Sequence, residues 1–298
     1  MRLILWTSAA ALGIAAALWA VTVPAPLADA AALPRGDAEA GARVFAAAGC
    51  ASCHVAPDTE EDGPPVLSGG EAFETAFGTF YAPNISPDAA AGIGDWTDAQ
   101  IVNAVMHGVS PAGAHYFPSL PYTAYVKARP DDMADMVAYL RTLPASDVPS
   151  QPHDLAFPFN QRWLMGFWKP LFLRDYWVVP DSVADDDTLR RGRYLVEALG
   201  HCGECHTPRN ALGGLRVDAW LTGAENPSGE GRIPGITPAQ LDWSAGDIRA
   251  YLSSGLTPDY DSAGGSMVAV IDKLAQLPED DIDAIVAYLK ALPEAGQP

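Results

Sequence analysis

The sequence has little positive charge and few cysteines. Its 298 residues include 18 Lys and Arg against 37 Asp and Glu, which gives a formal net charge of −19. Such a charge argues against nucleic acid as a partner. All four cysteines fall in two short motifs, so no thiol remains for a disulfide framework. The hydrophobic fraction of 49% is that of a globular protein, and the length suffices for two domains of about 100 to 150 residues.

The cysteines form a C-x-x-C-H motif that occurs twice, at residues 50–54 and 202–206. Two thiols three positions apart can each form a thioether to one vinyl group of a haem, while the next residue offers its imidazole to the iron. We therefore predict two covalently bound haem c groups. The predicted attachment residues are Cys50, Cys53, Cys202 and Cys205, and the predicted proximal iron ligands are His54 and His206.

Two other chemistries use C-x-x-C pairs. A single pair can be a redox dithiol, and two pairs together can supply four ligands to a zinc ion. The histidine that directly follows both pairs favours haem over either alternative.

The N-terminus has the features of a targeting segment. Arg2 precedes an apolar run at residues 3–23, and the triplet at residues 28–30 has the A-x-A pattern of a signal-peptidase site. A run of about 20 residues is also long enough to cross a bilayer as a helix. We predict that residues 1–30 are a signal peptide or an N-terminal membrane anchor, and the length favours the anchor. Either places the haem motifs on the periplasmic side of a bacterial inner membrane, anchored or soluble.

An internal repeat surrounds the two motifs. Asp37 can cap a helix that leads to the first motif, and Asp187 or Thr188 can start the equivalent helix before the second. After each motif come a proline, a loop rich in glycine and proline, and a short helix. Thr97 with Gln100 predicts a capping box for the first of these short helices, and the second begins in a similar way at Ser244 and Asp247.

The last helix of each repeat is marked by apolar residues at helical spacing, followed by Leu-Pro. Core packing explains these residues, including the methionines of the first helix. The stripes consist of Met133, Met136, Val137 and Leu140 in the first repeat and of Ile282, Ile285, Val286 and Leu289 in the second.

This order of elements resembles the class I cytochrome c module, here in tandem. The chain is similar to dihaem cytochromes related to the cytochrome subunits of membrane-bound bacterial alcohol, gluconate and sorbitol dehydrogenases. Besides the haem motifs, the resemblance rests on residues 84–87, 92–97, 118–122 and 201–210. It implies a mainly α fold, with cytochrome c domains at residues 36–145 and 187–294. Those subunits usually carry three haems, and this chain has two motifs.

Residues 146–186 would form a linker rich in aromatic residues and proline. Eight large aromatic residues lie within residues 157–177. An exposed aromatic cluster would indicate a docking surface for a partner or a membrane. We favour the alternative, that the segment packs across both domains, because so many aromatic residues exceed an ordinary exposed patch.

The sixth iron ligand of the second haem is predicted to be Met267. It lies between the short helix and the last helix, where this fold places its distal ligand, and a thioether opposite histidine raises the haem potential. The interval from Trp243 to Gly255 to Met267 equals that from Trp96 to Gly108 to Leu120. Leucine cannot bind iron, so the first haem needs another ligand or has an open site.

His115, five positions before Leu120, is our predicted distal ligand for the first haem. It would give a bis-histidine haem of lower potential, so that electrons would enter at the first haem and leave through the second. A surface histidine is the alternative. We rank Met106 and His107 lower as ligands, and we interpret His153 and His201 as structural residues.

The favoured function is non-catalytic electron transfer. The chain would take electrons from a dehydrogenase and pass them to a respiratory acceptor, which could be another cytochrome, a quinone or an oxidase. The alternative is a dihaem enzyme, peroxidase-like or similar to thiosulfate dehydrogenases, with catalysis at the first haem. A ligand-binding sensor is a third possibility.

Overall fold

The computed structural model describes residues 33–57, 63–227 and 231–293, together with residues 6, 13, 16, 19, 20 and 22–24. Arg2, most of the apolar run at residues 3–23 and the triplet at residues 28–30 lie outside the described residues. In the part that is described, no helix is long and apolar enough to cross a membrane.

The described chain is mainly helical. Its helices are α1 Ala38–Ala47, α2 Cys50–His54, α3 Asp98–His107, α4 Tyr122–Tyr125, α5 Pro130–Leu140, α6 Met165–Phe172, α7 Asp187–Tyr194, α8 Gly203–His206, α9 Ala245–Ser254, α10 Met267–Leu274 and α11 Glu279–Ala291. Its strands are β1 Ala72–Thr75, β2 Gly78–Tyr81, β3 Asp154–Leu155, β4 Ala224–Glu225 and β5 Arg232–Ile233. We call residues 36–145 the first module and residues 187–294 the second module.

The first and last helices of each module cross at a glycine. A Cβ atom on Gly41 would lie 1.9 Å from the carbonyl oxygen of Asp135, and one on Gly192 would lie 2.0 Å from that of Ala284. Any side chain at either position would push the helices apart. α1 therefore packs directly on α5, and α7 packs on α11.

The helix caps follow the sequence pattern, with one correction. Asp37 caps α1 by accepting hydrogen bonds from the backbone N–H groups of Glu39 and Ala40. α7 begins at Asp187, one of the two predicted starting residues, but its cap is the residue before it, because Asp186 accepts from the N–H of Leu189. Both predicted capping boxes, at Thr97 and Ser244, are present.

The second module contains a π-helical turn, Leu195–Leu199, that has no counterpart in the described residues of the first module. Gly192 lies ten positions before Cys202, whereas Gly41 lies nine positions before Cys50. A π turn absorbs one extra residue without breaking the helix. Because of this turn, the glycine crossing and the haem motif keep the same relative arrangement in the second module as in the first, despite the extra residue between them.

The turn also places a carboxylate in the interior. Glu197 is 1% exposed. It accepts hydrogen bonds from the N–H groups of Val178 and Val179, at 2.6 Å and 3.0 Å, and from the hydroxyl of Tyr288 at 2.8 Å. These bonds fasten the end of the linker to the second module.

The two modules share one apolar core. A single cluster of buried side chains includes Phe45 and Met133 from the first module and Leu195 and Leu289 from the second. All eight residues of the two predicted helical stripes are buried, which agrees with their assignment to core packing. The two modules therefore form a single packed unit.

The linker, residues 146–186, is hydrogen-bonded to both modules. β3 lies antiparallel to β2, and β2 also pairs with β1, so the linker completes a small sheet of the first module. On α6, Trp168 donates to the carbonyl of Leu212 at 2.8 Å, and Lys169 donates to the carbonyls of His107 and Gly108. The helix is thus bonded to both modules.

Our expectation that the aromatic residues of the linker pack inside is wrong for four of the eight. Trp168 is buried, but Phe157, Phe159, Trp163 and Tyr176 are exposed by 80%, 44%, 52% and 58%. A segment that runs over two modules has only one inward side, so its outward residues stay uncovered.

Candidate functional site

The two motif histidines make the same hydrogen bond. Nδ1 of His54 lies 2.8 Å from the carbonyl oxygen of Pro83, and Nδ1 of His206 lies 2.8 Å from that of Pro234. A ring nitrogen that faces a carbonyl oxygen must carry the proton, so Nε2 retains its lone pair. Burial lowers the pKa of both histidines, which keeps the rings neutral. Both are set up as metal ligands through Nε2.

The loops that carry these prolines are held alike in the two modules. The N–H of Gly69 donates to the carbonyl of His54 at 2.7 Å, and the N–H of Gly223 donates to that of His206 at 2.7 Å. Both glycines have a left-handed backbone, with φ of 73° and 88°, which favours glycine. Each loop therefore returns to its own motif and brings the proline carbonyl to the histidine.

The motif cysteines lie on one turn of helix in each module and form no disulfide. Desolvation raises the pKa of Cys50 and of Cys202 to about 12. A redox dithiol needs a lowered thiol pKa, so this arrangement does not suit one. Among the described residues, which include all four cysteines, no cluster of His, Cys, Asp and Glu could hold a metal ion by itself. The donor set fits covalent haem with one histidine ligand at each motif.

The loops predicted to carry the distal ligands have corresponding backbones. A bridge pairs Val109 with His115 in the first module, and the equivalent bridge pairs Leu256 with Ser262 in the second. Leu120 is half-buried just before α4, and Met267 is half-buried at the start of α10. The repeat alignment of Leu120 with Met267 is thus matched by the fold, and Met267 as an iron ligand stays a prediction.

His115 lies in a buried position beside the N-terminal segment. Its Nε2 is 2.9 Å from the carbonyl oxygen of Thr22, and its Nδ1 is buried without a hydrogen-bond partner. Nδ1 is therefore the ring nitrogen left for another ligand. The surface alternative for this histidine is wrong, because the residue is 5% exposed. Its role as the distal ligand of the first haem stays a prediction.

The lower-ranked candidates have structural surroundings. Met106 is buried in the shared core. The N–H of Tyr81 donates to Nδ1 of His153 at 3.2 Å, and that ring packs edge-on against Phe80. His201 packs edge-on against Tyr125.

The chain segments that lead into the two motifs meet at the junction of the modules. The carbonyl oxygen of Ala48, two residues before Cys50, accepts from the hydroxyl of Tyr125 at 2.9 Å and lies 3.3 Å from Nε2 of His201. Ser52, inside the first motif, donates to the carbonyl of Ala269 on α10 at 3.2 Å. The residues that precede the two motifs thus contact each other, and the first motif contacts the helix that begins at Met267.

A charged side chain reinforces this junction from the second motif. Glu204 accepts a hydrogen bond from the hydroxyl of Thr123 in the first module, and its other oxygen lies 2.5 Å from the guanidinium of Arg209. The carboxylate is mostly buried, so these partners replace its hydration. The position of the second motif is therefore fixed by bonds to both modules.

Known proteins resemble this chain over most of its length. The sequence pattern of the cytochrome c family matches residues 38–144. A dihaem c-type cytochrome of Cereibacter sphaeroides is 58% identical over 258 residues, which are 87% of this chain and 86% of that protein. The chain belongs to the dihaem c-type cytochromes. It therefore binds two haem c groups covalently, and its function is electron transfer.

Cytochrome subunits of dehydrogenases resemble this dihaem cytochrome over part of their length. The fructose dehydrogenase cytochrome subunit of Gluconobacter japonicus is 40% identical over 84% of this chain and 52% of that subunit. The gluconate 2-dehydrogenase cytochrome c subunit of Pantoea cypripedii is 35% identical over 82% of this chain and 56% of that subunit. This cytochrome thus spans about half the length of those dehydrogenase subunits.

Three features of the site were missed from the sequence. Gly41 and Gly192 set the helix crossings. A glycine stands nine positions before the first motif and ten before the second, and this repeated spacing is the signal that could have revealed both crossings. Tyr125 at the junction and the buried Glu197 had no such signal, because a single tyrosine or glutamate in a helix is most often exposed. The strands were also not predicted.

Proposed function

We propose that this dihaem cytochrome accepts electrons from a periplasmic or membrane-bound dehydrogenase and passes them one at a time to a respiratory acceptor. The named relatives that are dehydrogenase cytochrome subunits support the donor class. The observation that carries the proposal is the junction, where Ser52 of the first motif bonds to Ala269 of α10. A first motif that is bonded directly to the second module suits electron transfer between the two haems.

The chain's own residues have the following proposed roles. The haems supply the one-electron chemistry, and the protein supplies attachment, orientation and a dry surrounding. His54 and His206 are the proximal ligands, each oriented by a proline carbonyl. Met267 is the distal ligand at the second motif, and His115 is the distal ligand at the first. The attachment residues are Cys50, Cys53, Cys202 and Cys205.

The proposed location is the periplasmic side of the inner membrane. The apolar run at residues 3–23 supports attachment there, and covalent haem is consistent with an exported chain.

The test uses respiration by native membranes. Membranes lacking this cytochrome are compared with membranes that carry the wild type or the Cys202→Ser variant, with fructose, gluconate or ethanol as substrate. We expect one substrate to drive oxygen uptake that is lost without the cytochrome, restored by the wild type and not restored by the variant. Succinate-driven uptake is the control and stays unchanged.

The enzyme alternative predicts a different result. If oxygen uptake with every substrate is independent of the cytochrome, while the purified protein oxidises a reductant with hydrogen peroxide or thiosulfate, the relay function is wrong.

A further inference from the structure

The outward side of helix α6 and the turn before it is apolar. Trp163, Phe167 and Leu171 follow one another at four-residue spacing and so lie on one face. Trp163 is 52% exposed and Leu171 is 59% exposed, whereas Trp168 and Lys169 on the other side are buried. Phe157 and Phe159 add exposed aromatic rings just before the turn. We call Phe157, Phe159, Trp163, Phe167 and Leu171 the linker face.

The stretch of chain that carries the linker face is basic, whereas the chain as a whole is acidic. Residues 155–174 contain no Asp or Glu, although the chain has 37 of them. The charged residues of this stretch are Arg162, Lys169 and Arg174. Lys169 points inward, and Arg162 and Arg174 stand near the two ends of α6. An apolar face with basic residues at its ends is typical of a helix that lies in a membrane interface.

The end of the N-terminal apolar run lies against this same helix. The Cα atom of Thr22 occupies the space beside Gly166, where a Cβ atom would come within 2.4 Å of it. His115 holds the carbonyl of Thr22 at 2.9 Å. Just before this contact, the N–H of Val23 donates to the carbonyl of Trp19 at 2.9 Å, which is a helical bond. The apolar run at residues 3–23 therefore ends beside α6.

We propose that the linker face lies in the interface of a lipid bilayer, next to the point where the N-terminal run enters it. The proposal rests on the proposed membrane attachment. A run of about 20 apolar residues is long enough to cross a bilayer, and its end is fixed to α6, so the exposed rings are held at the membrane surface. Aromatic rings and arginines are the residues that favour this depth.

The test labels the full-length holoprotein in phosphatidylcholine vesicles that contain a photoactivatable carbene probe on an acyl chain. Trypsin then releases residues 3–35, which report on the N-terminal run, and residues 163–174, which report on the linker face. Residues 250–273 are the control peptide, because Tyr260 and Leu256 there are 94% and 52% exposed on the second module. We expect peptide 163–174 to carry about fivefold more label than peptide 250–273.

A double variant, Trp163→Ser with Leu171→Ser, removes two exposed apolar side chains without touching the core. We expect about a fivefold loss of label at Phe167 in this variant, with unchanged label in peptide 3–35. The matched control is Leu256→Ser with Tyr260→Ser, which leaves both signals unchanged. Both variants keep the wild-type haem spectrum.

Three outcomes would overturn the proposal. Label in peptide 3–35 with only control-level label in peptide 163–174 would leave membrane attachment intact and assign the linker face to a protein partner. Label at Phe167 that survives the double variant would show that Trp163 and Leu171 do not hold this face in the bilayer. Absence of label from both peptides would refute membrane attachment and the linker-face proposal together.

Discussion

In both modules the motif histidine is held by a proline carbonyl at 2.8 Å, whereas the loop predicted to carry the distal ligand has a leucine in one module and a methionine in the other. The helix crossings at Gly41 and Gly192 are also alike. The side that attaches and orients the cofactor is therefore the conserved part of this internal repeat. The loop predicted to supply the distal ligand differs, so we expect the two sites to share a scaffold and to differ in chemistry.

The largest expected effect comes from the helix crossings. Replacing Gly41 or Gly192 with alanine places a Cβ atom about 2 Å from a carbonyl oxygen, so the helices must separate. We expect a loss of about 3 kcal/mol from the free energy of unfolding in either variant. Because the modules share one core, both variants should lower the midpoint of the same single transition in guanidinium chloride.

The control for these variants is Gly246→Ala, the same substitution in α9, where the nearest atom is 3.7 Å away. It should be neutral or slightly stabilising, since alanine favours a helix. Two separate transitions, each sensitive to only one glycine, would contradict the shared core.

The second largest effect is expected at Met267, whose counterpart in the first module is Leu120. Met267→Leu gives the second module the residue of the first, and we expect one haem to fall in potential and to become high spin. Redox titration and low-temperature paramagnetic resonance measure both changes. Met106→Leu is the control, because Met106 lies in the core. Unchanged spectra for Met267→Leu would remove Met267 as a ligand.

The third prediction separates two roles of His115. If His115 binds the first haem, that haem is low spin and has a lower potential than the Met267 haem, and His115→Ala opens its distal site to carbon monoxide. Ser262→Ala, at the equivalent position of the second module, is the control. Two His/Met resonance signals that His115→Ala leaves unchanged would instead limit the role of His115 to its bond with Thr22.

The smallest effect concerns the π turn. Burial raises the pKa of Glu197 above its ordinary value of 4.5 in the folded protein, so the folded state holds this proton more tightly than the unfolded chain does. The stability due to this proton is complete below a pH of about 4.5 and is lost as the pH rises through the folded-state pKa.

Relative to Glu197→Gln, the wild type should therefore lose up to about 1.4 kcal/mol of stability per pH unit in that window. Guanidinium titrations between pH 4 and pH 8 measure the difference. Glu225→Gln serves as the exposed control, and stability curves of wild type and Glu197→Gln that stay parallel would show that Glu197 does not titrate there.

The sequence predicted the features that depend on nearby residues. The capping boxes at Thr97 and Ser244, the two buried stripes and the motif pattern all depend on spacing within one helix or turn. The contacts of Ser52 with Ala269 and of Tyr125 with Ala48 join residues 217 and 77 positions apart, and no local period encodes them. The exposure of Trp163 was missed for the same reason, since composition does not show which side of a segment is covered.

The single core has a consequence for motion. Domains joined by a small or polar interface move relative to one another by default. Here Phe45 and Leu289, from opposite ends of the chain, belong to the same buried cluster, and Glu197 fastens the linker to the second module. The two redox sites need no diffusive search to meet. Their separation is a fixed property of the folded state, so the rate of exchange between them should not depend on solvent viscosity.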